Sequence, residues 1–109
     1  MKESLSAKQA RFAGMVGHLL IWVENQPDFR VTLGDAWAKT GHMRNSFHYS
    51  RLAIDLNLFR KDPRGIWRYC RTTAAHEPLG AYWKSIGGSW GGDFRKKDGN
   101  HYSLGEGEE

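Results

Sequence analysis

Four residues of this 109-residue chain carry side chains that could do hydrolytic chemistry together: His48 and Asp55, seven apart, and Asp98 and His101, three apart. His48, Asp55 and His101 offer N, O and N donors to Zn²⁺ and leave its fourth tetrahedral position for water, while Asp98 remains as a base. Spacing tests the set. On an unbroken strand His48 and Asp55 would be roughly 23 Å apart and on opposite faces. On a straight helix they would share a face, but about 10 Å of rise would separate them. Neither arrangement suits one ion with bonds of about 2 Å. Convergence requires a bend, and Tyr49, Ser50 and Arg51 interrupt the apolar alternation that begins at Leu52. Asp55 would then project from the polar face of a strand and His48 would fold back over it. By residue type alone, a surface His–Asp pair is the commoner arrangement, so the surrounding elements must decide.

Those elements read as α+β. Phe12, Met15, Val16, Leu19, Trp22 and Val23 recur at helical spacing, which predicts a helix over 6–24 with Ser6 and Gln9 as a capping box. His18 lies beside that stripe and reads as a partly buried or surface His without a ligand role. Gln26, Pro27 and Asp28 break the helix, and Phe29, Val31 and Leu33 alternate as a first strand ending near Gly34. AKTGHMRN reads as a loop, 52–58 as a second strand, and KDPRG as a turn. EPLGAYWKSI predicts a short helix over 77–86, closed by Gly87 and Gly88 and packing Leu79, Tyr82, Trp83 and Ile86 inward. Tyr102, Ser103 and Leu104 open a further strand, and GEGEE frays. The expectation is one domain over 1–109, an N-terminal helix and a short later one on a small antiparallel sheet.

Composition narrows the classes. Aromatics at 13%, five of them Trp, indicate a packed globule rather than a disordered chain. No apolar run approaches the length of a membrane span, and MKESLSAKQARF lacks the apolar segment of a signal peptide. The expectation is synthesis in the cytosol, with any action on the outside depending on another component for release. The lone Cys70 excludes an internal disulfide and a Cys-rich zinc site, and reads as a buried, inert thiol. The formal charge is a mild +4. Between Arg60 and Arg71, Trp and Tyr interleave with the cations, a pattern compatible with nucleic acid or with an anionic polymer such as a bacterial cell wall. No nucleic-acid recognition motif accompanies it, so nucleic acid is not the expected partner.

The pattern S-x-H-x6-D, then W-G-G-x-F and D-x-x-H, is carried by Ser46, His48, Asp55, Trp90, Gly91, Gly92, Phe94, Asp98 and His101. It resembles the VanY-like D-Ala-D-Ala carboxypeptidases and the phage L-alanyl-D-glutamate endopeptidases that share their zinc fold. LSAKQARFAGMV, VTLGDAW, RLAIDLNLF and LGAYWKSIGG resemble the phage branch, so the likeness covers nearly the whole chain.

The resemblance implies a hedgehog/DD-peptidase-like fold in which His48, Asp55 and His101 hold Zn²⁺ and Asp98 is the general base. Ser46 and Trp90 stand at substrate-binding positions, with Gly91 and Gly92 as a tight wall. It also implies a monomer cutting the peptidoglycan stem peptide, most closely the L-Ala to D-Glu bond, without stable membrane insertion and with a holin-like protein for release. Two departures matter. Many relatives carry an Arg after the first strand to stabilise charge on the substrate carbonyl, where this chain reads Ala38, Lys39, Thr40; Lys39, Arg44 and Arg51 are the candidate substitutes, and the sequence does not choose among them. Broader relatives have Gly where this chain has Arg51. The alternatives are a D-Ala-D-Ala carboxypeptidase or dipeptidase and a non-catalytic wall or virion component, against which the intact quartet argues.

Overall fold

The computed structural model describes residues 3–36 and 51–105. Helix α1 spans Leu5–Glu24 and buries the predicted stripe through Phe12, Met15, Leu19 and Val23. Its start differs from the expected capping box. Ser4, in extended backbone, is the N-cap and accepts a hydrogen bond from the Ala7 N–H at 3.1 Å. Ser6 already lies inside the first turn, where its hydroxyl cannot reach back to the unsatisfied amides. At the other end the Asn25 N–H bonds to the Ile21 carbonyl at 3.1 Å. Pro27 then prevents continuation.

Strand β1, Phe29–Leu33, runs antiparallel to β2, Ala53–Lys61, with Val31 opposite Leu58. β2 extends three residues beyond the expected strand because its end is paired on both sides. Phe59 and Arg60 face β1, and they and Lys61 also face a strand that sequence reading missed, β3, Trp67–Cys70. The expected turn joins β2 to β3. Asp62 organises it, Oδ1 accepting from the Arg64 and Ile66 amides at 2.9 Å each and Oδ2 from Arg68 Nε at 3.0 Å. The Ile66 amide is the foremost cause that holds the Asp62 carboxyl below its ordinary range. Cys70 is half-buried rather than buried, because β3 lies outermost.

After a 3₁₀ turn at Ala74–His76 comes α2, Glu77–Ser85, with Pro78 in the first turn, where a missing N–H leaves no intrahelical bond unmade. Gly87 follows with φ 102°, a conformation that closes the helix at little cost only for glycine. Short strands β4, Ser89–Trp90, and β5, His101–Ser103, complete a five-stranded sheet of order β1-β2-β5-β4 with β3 also on β2. The architecture is the expected α+β one, two helices on a small antiparallel sheet. Among the described residues no helix is long and apolar enough to cross a membrane.

The core forms where α1, α2 and the inward side of β2 meet. Strand periodicity turns Ile54, Leu56 and Leu58 inward and Asp55, Asn57, Phe59 and Lys61 to the other face. Trp83 of α2, fully buried, stands edge-on to Phe12 at 5.8 Å and to Tyr102 at 6.1 Å. Its indole N–H donates to the Ser103 carbonyl at 2.9 Å, satisfying a polar group that would otherwise be costly to bury. α2 is thereby fastened to β5, the strand that carries His101.

Candidate active site

Sheet register brings two of the predicted residues together. Asp55 on β2 and His101 on β5 are direct antiparallel partners, so their side chains leave the same face at the same level. Asp55 Oδ1 lies 3.5 Å from His101 Nδ1. That exceeds the 2.7–2.9 Å of a charge-assisted hydrogen bond and is close to the edge of a zinc tetrahedron, about 3.3 Å for bonds near 2 Å. His101 is largely sequestered, its side chain 5% exposed against 22% for Asp55. The backbone around Asp55 is also fixed: its N–H donates to the Asp35 carbonyl and its carbonyl accepts from the Gly34 N–H, both at 2.8 Å. Gly34 permits this approach, since a Cβ there would stand 3.0 Å from the Asp55 carbonyl oxygen.

Asp98 joins the same locus from the loop before β5. Its Oδ2 is 4.0 Å from His101 Nδ1, and its side chain is 53% exposed. Two backbone bonds hold it, one from its N–H to the Gly91 carbonyl at 2.9 Å and one from the His101 N–H to its own carbonyl at 3.1 Å. The second closes a turn through Gly99 and Asn100 and ties the carboxylate to the imidazole. Gly91 is where the loop passes closest, since a Cβ there would overlap the Asp98 carbonyl and come within 2.9 Å of the His101 Cβ.

Trp90 is 6% exposed and belongs to the core cluster. Its indole N–H donates to the Gly99 carbonyl at 2.8 Å, and its ring fills the space that a Cβ at Gly80 or Gly92 would take. The residue therefore braces both ends of the loop that carries Asp98. Phe94, which the sequence offered only as a motif position, stands 5.4 Å from the His101 ring and packs beside it. Gly34, Asp35 and Phe94 went unread as site residues. The signal for Gly34 was present in VTLGDAW, where a glycine ends an alternating strand.

His48 and Ser46 lie outside the described residues, as do Lys39 and Arg44 among the substitutes for the carbonyl-binding Arg. Arg51 is described, with φ 58°, the left-handed region glycine occupies freely, at the position where broader relatives carry Gly. The chain thus turns at Arg51, two residues before β2. Arg51 lines a groove with Phe12, Ala13 and Val16 of α1, on the helix side of the sheet.

Among the described residues no three His, Cys, Asp or Glu side chains form a metal-binding group. Asp55 and His101 nevertheless supply an O and an N donor at a separation that suits one Zn²⁺. The family model described as D-alanyl-D-alanine carboxypeptidase matches residues 40–104, more than half of the chain. The chain belongs to this family. Peptidases of the family act on peptidoglycan and are generally zinc-dependent; the match supports a peptidase acting on the cell wall. The match begins after β1, and the flanks LSAKQARFAGMV and VTLGDAW fall outside it. No curated protein matches the chain.

Proposed function

We propose that this chain is a zinc peptidase that cuts the peptidoglycan stem peptide, at the L-Ala to D-Glu bond, in bacterial wall lysis by a phage or prophage. The observation that carries the hydrolytic part is the 3.5 Å approach of Asp55 Oδ1 to His101 Nδ1, with Asp98 at 4.0 Å from the same nitrogen. Asp55 and His101, with His48 as third ligand, would hold Zn²⁺, which when bound polarises a scissile carbonyl and makes water a nucleophile near neutral pH.

The chain's own residues do the rest. The β2–β5 register sets the angle between Asp55 and His101 before any ligand arrives. Asp98, exposed on its glycine-flanked turn, accepts a proton from the attacking water and passes it to the leaving amine. Trp90 keeps that turn in place from beneath, and Phe94 shields the His101 ring from solvent. Release to the wall depends, in this reading, on a separate membrane-permeabilising protein.

The choice of bond rests on the likeness of RLAIDLNLF and DGNHYSL to the phage branch. The family description favours a second reading, a D-Ala-D-Ala carboxypeptidase. Incubation of the purified chain with defined muropeptides, followed by mass spectrometry, separates them. Release of the disaccharide with L-Ala attached supports the first, and loss of a single terminal D-Ala supports the second. Uncut muropeptides in the presence of Zn²⁺ would refute both.

A further inference from the structure

The cation-rich stretch between Arg60 and Arg71 has no part in the site described above. Five Arg or Lys and one Asp give it the same net charge as the whole chain, +4. Its placement is specific. The face of β2 that carries Asp55 continues through Asn57 and Phe59 to Lys61, about 20 Å along the strand. Register sets Arg30 of β1 and Tyr69 of β3 on either side of Phe59, and Trp67 beside Lys61. Phe59 and Tyr69 pack with ring centroids 5.5 Å apart, and Tyr69 is 52% exposed. The Trp67 ring lies under two cations, the Arg30 guanidinium at 4.3 Å and the Lys61 ammonium at 5.1 Å. No described carboxylate is paired with either, whereas Arg68 is held by Asp62.

We infer that this face is a docking platform for the acidic glycan polymer that bears the substrate, a peptidoglycan strand with its carboxylate-ended stem peptides. The inference rests on the peptidase reading above. Two features choose this occupant. Aromatic faces flanked by cations suit sugar rings whose substituents end in carboxylates. The platform also shares one sheet face with Asp55 and His101, so a polymer lying along β2 leads into the site. A single-stranded nucleic acid could use similar rings and charges, but it would have no reason to be led toward a hydrolytic pair.

The test is co-sedimentation of the full chain with purified sacculi, alongside cleavage of sacculi and of a soluble stem peptide without sugars. The variant Arg30→Glu with Lys61→Glu, checked for an unchanged melting temperature, should lose about tenfold in sacculus binding and cleavage, the scale of two exposed ion contacts. It should cut the soluble peptide at the rate of the unaltered chain. Tyr69→Ala, at an exposed position, should weaken sacculus binding independently of charge and covers the case in which the double variant misfolds. Unchanged sacculus binding in both variants, or equal loss on both substrates, overturns the inference. So does a chain that binds a single-stranded oligonucleotide through Arg30 and Lys61 while its sacculus binding ignores them. Charge-dependent sacculus binding by a chain that cuts no peptide would support the platform and refute the peptidase reading.

Discussion

Asp55 and His101 face each other as direct partners across two antiparallel strands, Oδ1 and Nδ1 3.5 Å apart. A pair built on sheet register is stiffer than one built on loops, since neither Cα can shift without breaking ladder bonds. We therefore expect Asp55→Ala and His101→Ala each to abolish stoichiometric zinc binding while leaving a folded chain, and chelation of the unaltered protein to remove activity that Zn²⁺ restores. Metal analysis and circular dichroism on the same samples check this. Full zinc content in either variant would remove that residue from the ligand set.

Asp98 separates catalyst from metal binder. Asp98→Asn keeps its shape and its two backbone bonds but removes the basic carboxylate. Zinc content and melting temperature should persist while muropeptide turnover falls by ~10²-fold or more. If Asp98 merely shaped its turn, the variant would lose stability and keep its turnover.

Gly91 is the closest passage in the loop beneath the site. Gly91→Ala places a methyl group against the Asp98 carbonyl, and the loop must move to admit it. A cost of about 1–3 kcal/mol, the usual range for overpacking, should appear in denaturant unfolding. Activity should fall further than that stability loss accounts for, because the shift moves Asp98 relative to His101. Gly14→Ala is the control: its Cβ would meet nothing within 4 Å, and it should stabilise α1 by about 1 kcal/mol.

How much of this was legible in the sequence depended on whether a signal was local. α1, β1 and α2 repeat their apolar residues at their own period and could be read directly. β3 and β4 could not, since four residues of WRYC and two of SW hold strand conformation only through pairing with β2 and β5. The N-cap was misplaced by two residues because Ser4 and Ser6 offer the same hydroxyl, and only the backbone angles distinguish them. At the site, the types of Asp55, Asp98 and His101 were readable from motif spacing, but their approach was not. It comes from the β2–β5 register, a long-range pairing that no window of sequence contains. His48 and Ser46 fall outside the described residues and add nothing to that comparison.

Arg51 shows a local conflict. Its φ of 58° costs a non-glycine residue about 1–2 kcal/mol, and glycine's extra chain entropy would return about 0.5–1 of that. Both Arg51→Gly and the β-branched Arg51→Val remove the arginine side chain, so the comparison isolates the backbone, and Arg51→Gly should be the more stable of the two by about 1 kcal/mol or more. Thermal melts of the two variants give the comparison, and equal effects would show that the turn is not under strain.

His76 sets an acid limit on the fold. It is buried beside Tyr102, with Nδ1 2.7 Å from the phenol oxygen, and Tyr102 is the β5 residue that follows His101. Burial pushes the imidazole from 6.5 down to about 4, and it pushes the Tyr102 phenol upward. Well above pH 6.5 both folded and unfolded chains carry a neutral His76, and it adds no pH dependence. As pH falls below 6.5 the unfolded chain takes up a proton that the folded chain resists until about 4, so stability is lost across that window. The full loss is on the order of 3 kcal/mol. His76→Asn leaves an oxygen near the position of Nδ1 to accept from Tyr102 but cannot titrate. Its melting temperature should fall less steeply between pH 7 and 4 than that of the unaltered chain, even if it starts lower. Parallel slopes for the two proteins would assign the acid sensitivity to other groups and leave His76 a packing residue alone.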